Sequence, residues 1–303
     1  MAGFFGFFDY SKPGRGISKD EPEKTGIALY FDILLRRFWK LISLNLLYIL
    51  FSIPAIVIFG LFSSLSVTYI SSYVFDLAHI SADESAALYF LTTRLTVILF
   101  TVFGSGAATA GMTYVLRNYV NDKHSWVWSD FFDNFKSNFK QGTIVFLIDI
   151  VAIVLFSVSW FFYSSQVSAV MMSVVLRAIV LGVFVIFTMM HMYIYHIMVT
   201  FKLGIKDIYR NSFILIMARL PWNVLAFLFE CAIIYAGIYA SMVSGIGMIV
   251  ICLIMMTLVC FTGLFMTNKT VRRYMLEPAL ANEGKTETTE EEAVFEDVTR
   301  PRG

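Results

Sequence analysis

Residues 143–163 read TIVFLIDIVAIVLFSVSWFFY, an apolar run with a single acidic residue, and runs of this kind decide the fold. The hydrocarbon core of a bilayer is about 30 Å thick, and about 20 apolar residues in an α-helix cross it. The chain contains six such runs, which are Leu41–Phe62, Leu95–Leu116, Thr143–Tyr163, Ala178–Phe201, Leu220–Ser241 and Ile246–Met266. The sequence therefore predicts an all-α polytopic membrane protein with six transmembrane helices.

The composition favours the same class. Apolar residues make up 58% of the 303 residues and charged residues 15%, whereas soluble domains carry about 25% charged residues. The net charge is only +1, and the basic residues are spread over several loops, so the chain has no basic patch suited to nucleic acid. All three cysteines lie within apolar runs, and we expect no disulfide framework.

The distribution of Lys and Arg predicts the orientation of the spans. All but two of the 23 basic residues lie before span one, between spans two and three, between spans four and five, or after span six. The two exceptions are Arg94 and Arg177. Because basic loops stay in the cytoplasm, we expect both termini on the cytoplasmic side.

Three regions follow from these patterns. Residues 1–26 form a loosely ordered N-terminal arm rich in Gly and Pro, residues 27–275 the six-span membrane domain, and residues 276–303 an acidic, disordered tail. Within the membrane domain, Pro54 is expected to kink the first span. Ser81 and Glu84 fit a helix capping box, which predicts one continuous helix from Ala82 to Leu116.

Residues 126–141 form the clearest amphipathic segment, with Phe131 or Phe132, Phe135 and Phe139 on one helical face. Similar segments precede spans one and five, at residues 31–40 and 204–213. We expect these helices to lie at the inner membrane surface, in contact with the lipid bilayer. Phe131, Phe135 and Phe139 are candidate contacts for a partner protein. Gly106 and Ala110, small residues at a spacing of four, are candidates for close helix–helix contact.

Two acidic residues lie deep within apolar runs, Glu230 near the middle of span five and Asp149 in span three. Ionisable groups at this depth are costly and point to function, here a substrate or proton path. The alternative is a carboxyl group that is neutral or hydrogen-bonded to a polar neighbour. Candidate neighbours are Asn45, Asn223, Tyr235 or a serine.

Other patterns point away from catalysis. His191 and His196 are five residues apart on one span and cannot chelate one ion together, so we expect no metal site and no cofactor. Arg94 and Arg177 either extend to the outer interface or bind an anionic or sugar ligand in a mouth between spans two and four. Neither a phosphate-binding loop nor a nucleophile elbow is present in the sequence, and we expect no enzyme activity.

Two stretches, GAATAGMTYVLRNYV at residues 106–120 and HSWVWSDFFDNFKSNFKQ at 124–141, resemble the YesL-like family. Residues 37–47 with Pro54, and IYRNSF at 208–213 with LPW at 220–222, extend the resemblance over residues 30–275. These are bacterial integral membrane proteins, common in Firmicutes and without a defined biochemical function. Family members tend to have Gly-Pro before the small-residue run, whereas this chain has Gly104-Ser105-Gly106.

The resemblance implies a non-catalytic protein of the bacterial plasma membrane, accessory or regulatory to carbohydrate uptake by ABC-type transporters. Its partner would then be a transporter or sensor membrane protein. The second hypothesis, drawn from the residues, is a small secondary transporter or channel that uses Glu230 and Asp149. The two differ in whether Glu230 faces a cavity lined by other polar groups or packs against another helix.

Overall fold

The computed structural model describes residues 25–71 and 82–281 of the chain. The chain divides into two units, Met1–Arg36 and Arg37–Gly303. In the first unit, helix α1 spans Gly26–Arg36 and carries an ion pair of 3.8 Å between Arg36 Nε and Asp32 Oδ2, one turn apart. Residues 1–24 of the predicted arm lie outside the described residues.

The second unit is built from helices alone in the part that the structure describes, so the predicted all-α class is confirmed. Its helices are α2 (Phe38–Phe51), α3 (Ile53–Ser71), α4 (Ala82–Phe103), α5 (Ala107–Val120), α6 (Val127–Ser137), α7 (Phe139–Ser165), α8 (Val170–Met198), α9 (Ile205–Ala218), α10 (Leu220–Val243) and α11 (Gly245–Val271). A π-helical turn at Arg272–Leu276 follows α11, and the helix continues to residue 281, beyond the predicted start of the disordered tail.

Four helices are long and apolar enough to cross a membrane, namely α7, α8, α10 and the segment Leu253–Ala281. Two further pairs pass the same test together but are bent, α2 with α3 by 66° and α4 with α5 by 59°. The described residues thus hold four candidate spans, or up to six if each bent pair is one span. By length and composition these helices are compatible with a multi-pass membrane protein.

The prediction of one helix from Ala82 to Leu116 is wrong beyond its start. The helix begins at Ala82, as the sequence predicts, but ends at Phe103, and α5 begins at Ala107. Gly104 and Gly106 adopt φ values of +74° and +67°. Only glycine enters this region without strain, so these two glycines break the helix.

The predicted kink at Pro54 is confirmed, since α2 ends at Phe51 and α3 begins at Ile53. Proline has no backbone N–H and fits the first turn of the second helix. The two breaks meet inside the bundle, where the hydroxyl groups of Ser52 and Ser105 are 2.6 Å apart. The bend in one span is therefore hydrogen-bonded to the bend in the other.

Helix α11 organises the second unit, because it packs against α2, α5, α8 and α10. The amphipathic segment at residues 126–141 is two helices instead of one, since Asn138 separates α6 from α7. Phe131 of α6 is fully buried. It lies so close to Gly111 of α5 that a methyl group there would overlap the Phe131 backbone.

Candidate functional site

A central cavity of about 420 Å³, partly open to the outside, is lined by residues of α2, α4, α5, α8, α10 and α11. Phe103, Gly104 and Thr109 line it, so the cavity is at the level of the α4–α5 break. Sites for small molecules commonly have volumes of roughly 300–1,000 Å³. Irregular backbone at membrane depth is tolerated where it is buried in protein or lines such a cavity.

Side chains satisfy the backbone groups that the break releases. The backbone N–H of Ser105 donates to Thr109 Oγ1 at 2.8 Å. The Tyr195 hydroxyl donates to the carbonyl oxygen of Phe103 at 3.4 Å. Thr109 Oγ1 is also 3.4 Å from the hydroxyl of Tyr48 on α2. These contacts hold the broken helix in place and put three hydroxyl-bearing side chains on the cavity wall.

Glu230, half-buried in α10, lines the cavity. Its carboxyl group also contacts α11, where a methyl group added at Gly263 would overlap Oε1. The hydrogen bonds found among the described residues do not include this carboxyl group. Glu230 therefore combines the two expected alternatives, since it faces a cavity with other polar groups and also touches a neighbouring helix.

Asp149 on α7 has a different environment, which its sequence pattern does not predict. Its side chain is fully buried, and Oδ1 is 2.9 Å from His191 Nε2 on α8. His191 Nδ1 is 3.1 Å from the carbonyl oxygen of Phe187. A carbonyl oxygen only accepts hydrogen bonds, so Nδ1 carries a proton and a second proton lies between Nε2 and Oδ1. With the proton on either partner, the Asp149–His191 pair is neutral overall.

The pair reaches the cavity through one of its members. His191 lines the cavity, whereas Asp149 is not among the lining residues. The second carboxyl oxygen of Asp149, Oδ2, is buried and has no hydrogen-bond partner. The sequence carries no signal for this pair, because the two residues are 42 positions apart on different helices.

The proposed polar neighbours of the carboxyl groups have other partners. Asn223 accepts a hydrogen bond of 2.6 Å from the Tyr193 hydroxyl and donates to the carbonyl oxygens of Leu215 and Ile216 at the end of α9. Asn45 accepts from the backbone N–H of Thr257 at 3.1 Å. These two asparagines therefore tie helices together, away from Asp149 and Glu230.

Arg94 and Arg177 do not line the cavity. The Arg177 guanidinium lies 5.7 Å from the ring centre of Trp160, and its Nε donates to the Ser173 carbonyl oxygen at 3.3 Å. Arg94 is half-buried on α4. An outer ligand site that uses these two residues stays a prediction.

The candidate partner contacts divide into two sets. Phe131, Gly106 and Ala110 are buried in contacts within the chain, and Gly106 abuts Gly142 of α7. These three residues are thus not exposed to another protein, because the chain's own helices cover them. Phe139 is 53% exposed and Phe135 half-buried, so only this end of the face is accessible.

A second hollow of about 480 Å³ lies between α3 and α7. Its described lining is apolar apart from two serines and Gln166, and includes no ionisable side chain. Among the described residues, no three His, Cys, Asp or Glu side chains are grouped as a metal site. The cavity that Glu230 faces is therefore the best candidate for a functional site.

Comparison with known protein families gives a match over part of the chain. Residues 86–160 match the model of a family described as "Protein of unknown function, DUF624", which is the family of the YesL proteins. No curated protein matches the chain, and no solved structure does. Over α4 to α7, which include the α4–α5 break and Asp149, the chain is thus similar to DUF624 proteins, a family of unknown function.

Proposed function

We propose that this chain is a small secondary transporter of the bacterial plasma membrane, with six spans, both termini in the cytoplasm and no catalytic activity. It carries a small molecule through the central cavity, and Glu230 is the residue that binds it. One observation carries the proposal, namely a carboxyl group in the middle of a membrane span that faces a cavity. Such a group is costly to keep in a membrane and marks substrate or proton paths.

The two broken spans support a carrier over a static scaffold. Many secondary transporters place their substrate at the membrane midplane, beside helices that are interrupted there. Here both breaks meet at Ser52 and Ser105, and the residues of one break line the cavity. Helix breaks are positions where a span can bend differently in two states, which alternating access requires.

The Asp149–His191 pair is the second ionisable element of the proposed transporter. Because His191 lines the cavity and shares a proton with Asp149, the pair can exchange that proton with the cavity. Its loss leaves Asp149 ionised beside a neutral His191, and its return restores the neutral pair. Glu230 would bind the substrate, and the pair would supply or take up the coupled proton.

Cys260 allows a direct test, because it lines the cavity one turn from Gly263. The full chain with Cys231→Ala and Cys252→Ala keeps Cys260 as its single cysteine. Intact cells and inside-out vesicles are treated with 2-(trimethylammonium)ethyl methanethiosulfonate, which does not cross membranes. A carrier alternates its opening, so we expect Cys260 to react from both sides.

A cysteine at Thr262 in a cysteine-free chain is the matched control. Thr262 is on the same helix and fully buried, but it does not line the cavity. We expect no reaction there from either side. Reaction of Cys260 from one side only, or from neither, would rule out a carrier.

A second candidate is the accessory role in carbohydrate uptake. The exposed aromatic residues Trp126 and Trp128 at the start of α6 support it, because a partner protein could cover them. The cavity does not suit a sugar, because its walls are mostly Phe, Leu, Val, Ile and Met. An accessory protein would therefore bind the transporter and not the sugar. Unchanged uptake of radiolabelled sugars in a deletion strain would exclude this role.

A further inference from the structure

The charge of the cavity is set by one residue. Among its described lining residues, Glu230 is the single acidic side chain, and neither Lys nor Arg is present. His191 belongs to the neutral pair with Asp149, and His196 is fully enclosed by the protein. When Glu230 is ionised, a ligand that carries one positive charge restores neutrality.

The rest of the wall defines the body of the ligand. Phe103, Phe184 and Phe227 line the cavity together with Tyr48 and Tyr195. Aromatic faces attract organic cations, and the attraction is stronger in a site without water. The remaining wall is largely aliphatic side chains and methionine, with a few threonine hydroxyls. Such walls suit an apolar body and leave the hydroxyl groups of a sugar or a second charge without partners.

From this composition we propose that the ligand is a lipophilic organic cation with a single positive charge, such as a hydrophobic amine or a quaternary ammonium compound. The inference rests on the proposed carrier function and names its substrate class. Glu230 binds the cationic group, and the aromatic and aliphatic walls bind the apolar body. The volume of about 420 Å³ limits the ligand to a molecule of modest size.

The test compares how fast two reagents of opposite charge modify Cys260 in the single-cysteine chain. One is 2-(trimethylammonium)ethyl methanethiosulfonate, and the other is the anionic 2-sulfonatoethyl analogue. Each rate is divided by the rate of the same reagent with a free thiol in solution. We expect the ratio of the two normalised rates, cationic reagent over anionic reagent, to be greater than one. Glu230→Gln should lower the ratio about tenfold, the change that about 1.4 kcal/mol of lost attraction produces.

Three variants control this result. Glu230→Asp retains the charge and should keep the preference for the cation. Tyr235→Phe removes a polar atom from the same helix, at a side chain that is 71% exposed and does not line the cavity, and should change nothing. Gly263→Ala displaces the Glu230 carboxyl group without removing it and provides a second route to a lower ratio if Glu230→Gln fails to fold.

A competition experiment tests the ligand class itself. Benzyltrimethylammonium and its neutral isostere neopentylbenzene have nearly the same shape. We expect the cation to protect Cys260 from modification and the neutral compound to protect it at least about tenfold less well.

The outcomes separate this inference from the carrier proposal. If Cys260 reacts from both sides but both reagents react equally, or the neutral isostere protects as well as the cation, the substrate class is wrong and the carrier stands. If Cys260 does not react from both sides, the carrier fails and the inference fails with it.

Discussion

Asp149 and Glu230 are both carboxyl groups in the middle of apolar helices, but their surroundings are opposite. The Asp149 side chain on α7 is fully buried, and its Oδ1 lies 2.9 Å from Nε2 of His191 on α8. Glu230 is half-buried, lines a cavity and touches a glycine of α11. The comparison shows that depth in the membrane alone does not tell what a carboxyl group does. The partner of each carboxyl group decides. We expect Asp149 to support the fold and, with His191, to take part in proton transfer, and Glu230 to bind a ligand.

The largest effect is expected where the Asp149–His191 pair is broken. Asp149→Ala leaves His191 buried without its partner, and removing one member of a buried pair typically costs about 3–5 kcal/mol. We therefore expect a loss of this size in the free energy of unfolding, measured by titration with SDS in mixed micelles and followed by circular dichroism. The double variant Asp149→Ala/His191→Ala should be less destabilised than the sum of the two single variants. Purely additive losses would show that the two side chains are not coupled.

A smaller loss is expected from Gly106→Ala, which tests how α7 is held next to α5. The added Cβ atom would lie 2.6 Å from the carbonyl oxygen of Gly142, and Gly106 has a φ of +67°. Overpacking typically costs about 1–3 kcal/mol, and the positive φ adds strain. We expect a loss of about 2 kcal/mol in the same unfolding assay.

Gly182→Ala is the matched control for this variant. Gly182 lies within α8 and has no atom within 4 Å of an added Cβ. A methyl group there should stabilise the helix by about 0.5–1 kcal/mol. Equal effects at the two glycines would mean that α5 and α7 are not in close contact at Gly106.

Much of this comparison could not be predicted from the sequence. Length and apolarity of the runs predict the helices well, and Pro54 marks the first break. The break between α4 and α5 is not predicted, because no proline marks it. The helix breaks there because Gly104 and Gly106 adopt a positive φ. The Asp149–His191 pair was missed because it joins residues 42 positions apart. Such a pair depends on how α7 is rotated against α8, and the apolar pattern on both helices is nearly uniform.

The cavity was beyond prediction for the same reason. It arises where six helices fail to fill the space between them, and no single run encodes that space. The sequence does single out Glu230, because a carboxyl group in an apolar run is conspicuous at any rotation of the helix. The surroundings of Glu230 depend on α11, where Gly263 leaves room for the Glu230 side chain.

The contact between the two helix breaks should contribute less to the free energy of unfolding than the Asp149–His191 pair or the contact between Gly106 and Gly142. Ser105→Ala removes the hydroxyl group that is 2.6 Å from the fully buried Ser52 hydroxyl. A typical hydrogen bond contributes about 0.5–1.5 kcal/mol, and we expect a loss of about 1 kcal/mol. Rates of Cys260 modification should rise at the same time if the bond restrains the bend. Unchanged stability and unchanged rates would indicate that the two breaks act independently.

The smallest effect on stability is expected at Glu230, although the effect on function should be large there. Glu230→Gln removes a charge from a membrane span without breaking an ion pair. The cost of burying the charge then disappears, and few stabilising interactions are lost. We expect the free energy of unfolding to stay within about 0.5 kcal/mol of the parent value or to rise, while the preference of Cys260 for the cationic reagent falls. Glu230→Asp should retain both stability and preference. A loss of stability at Glu230→Gln as large as that at Asp149→Ala would mean that Glu230, too, supports the fold, and the contrast between the two carboxyl groups would disappear.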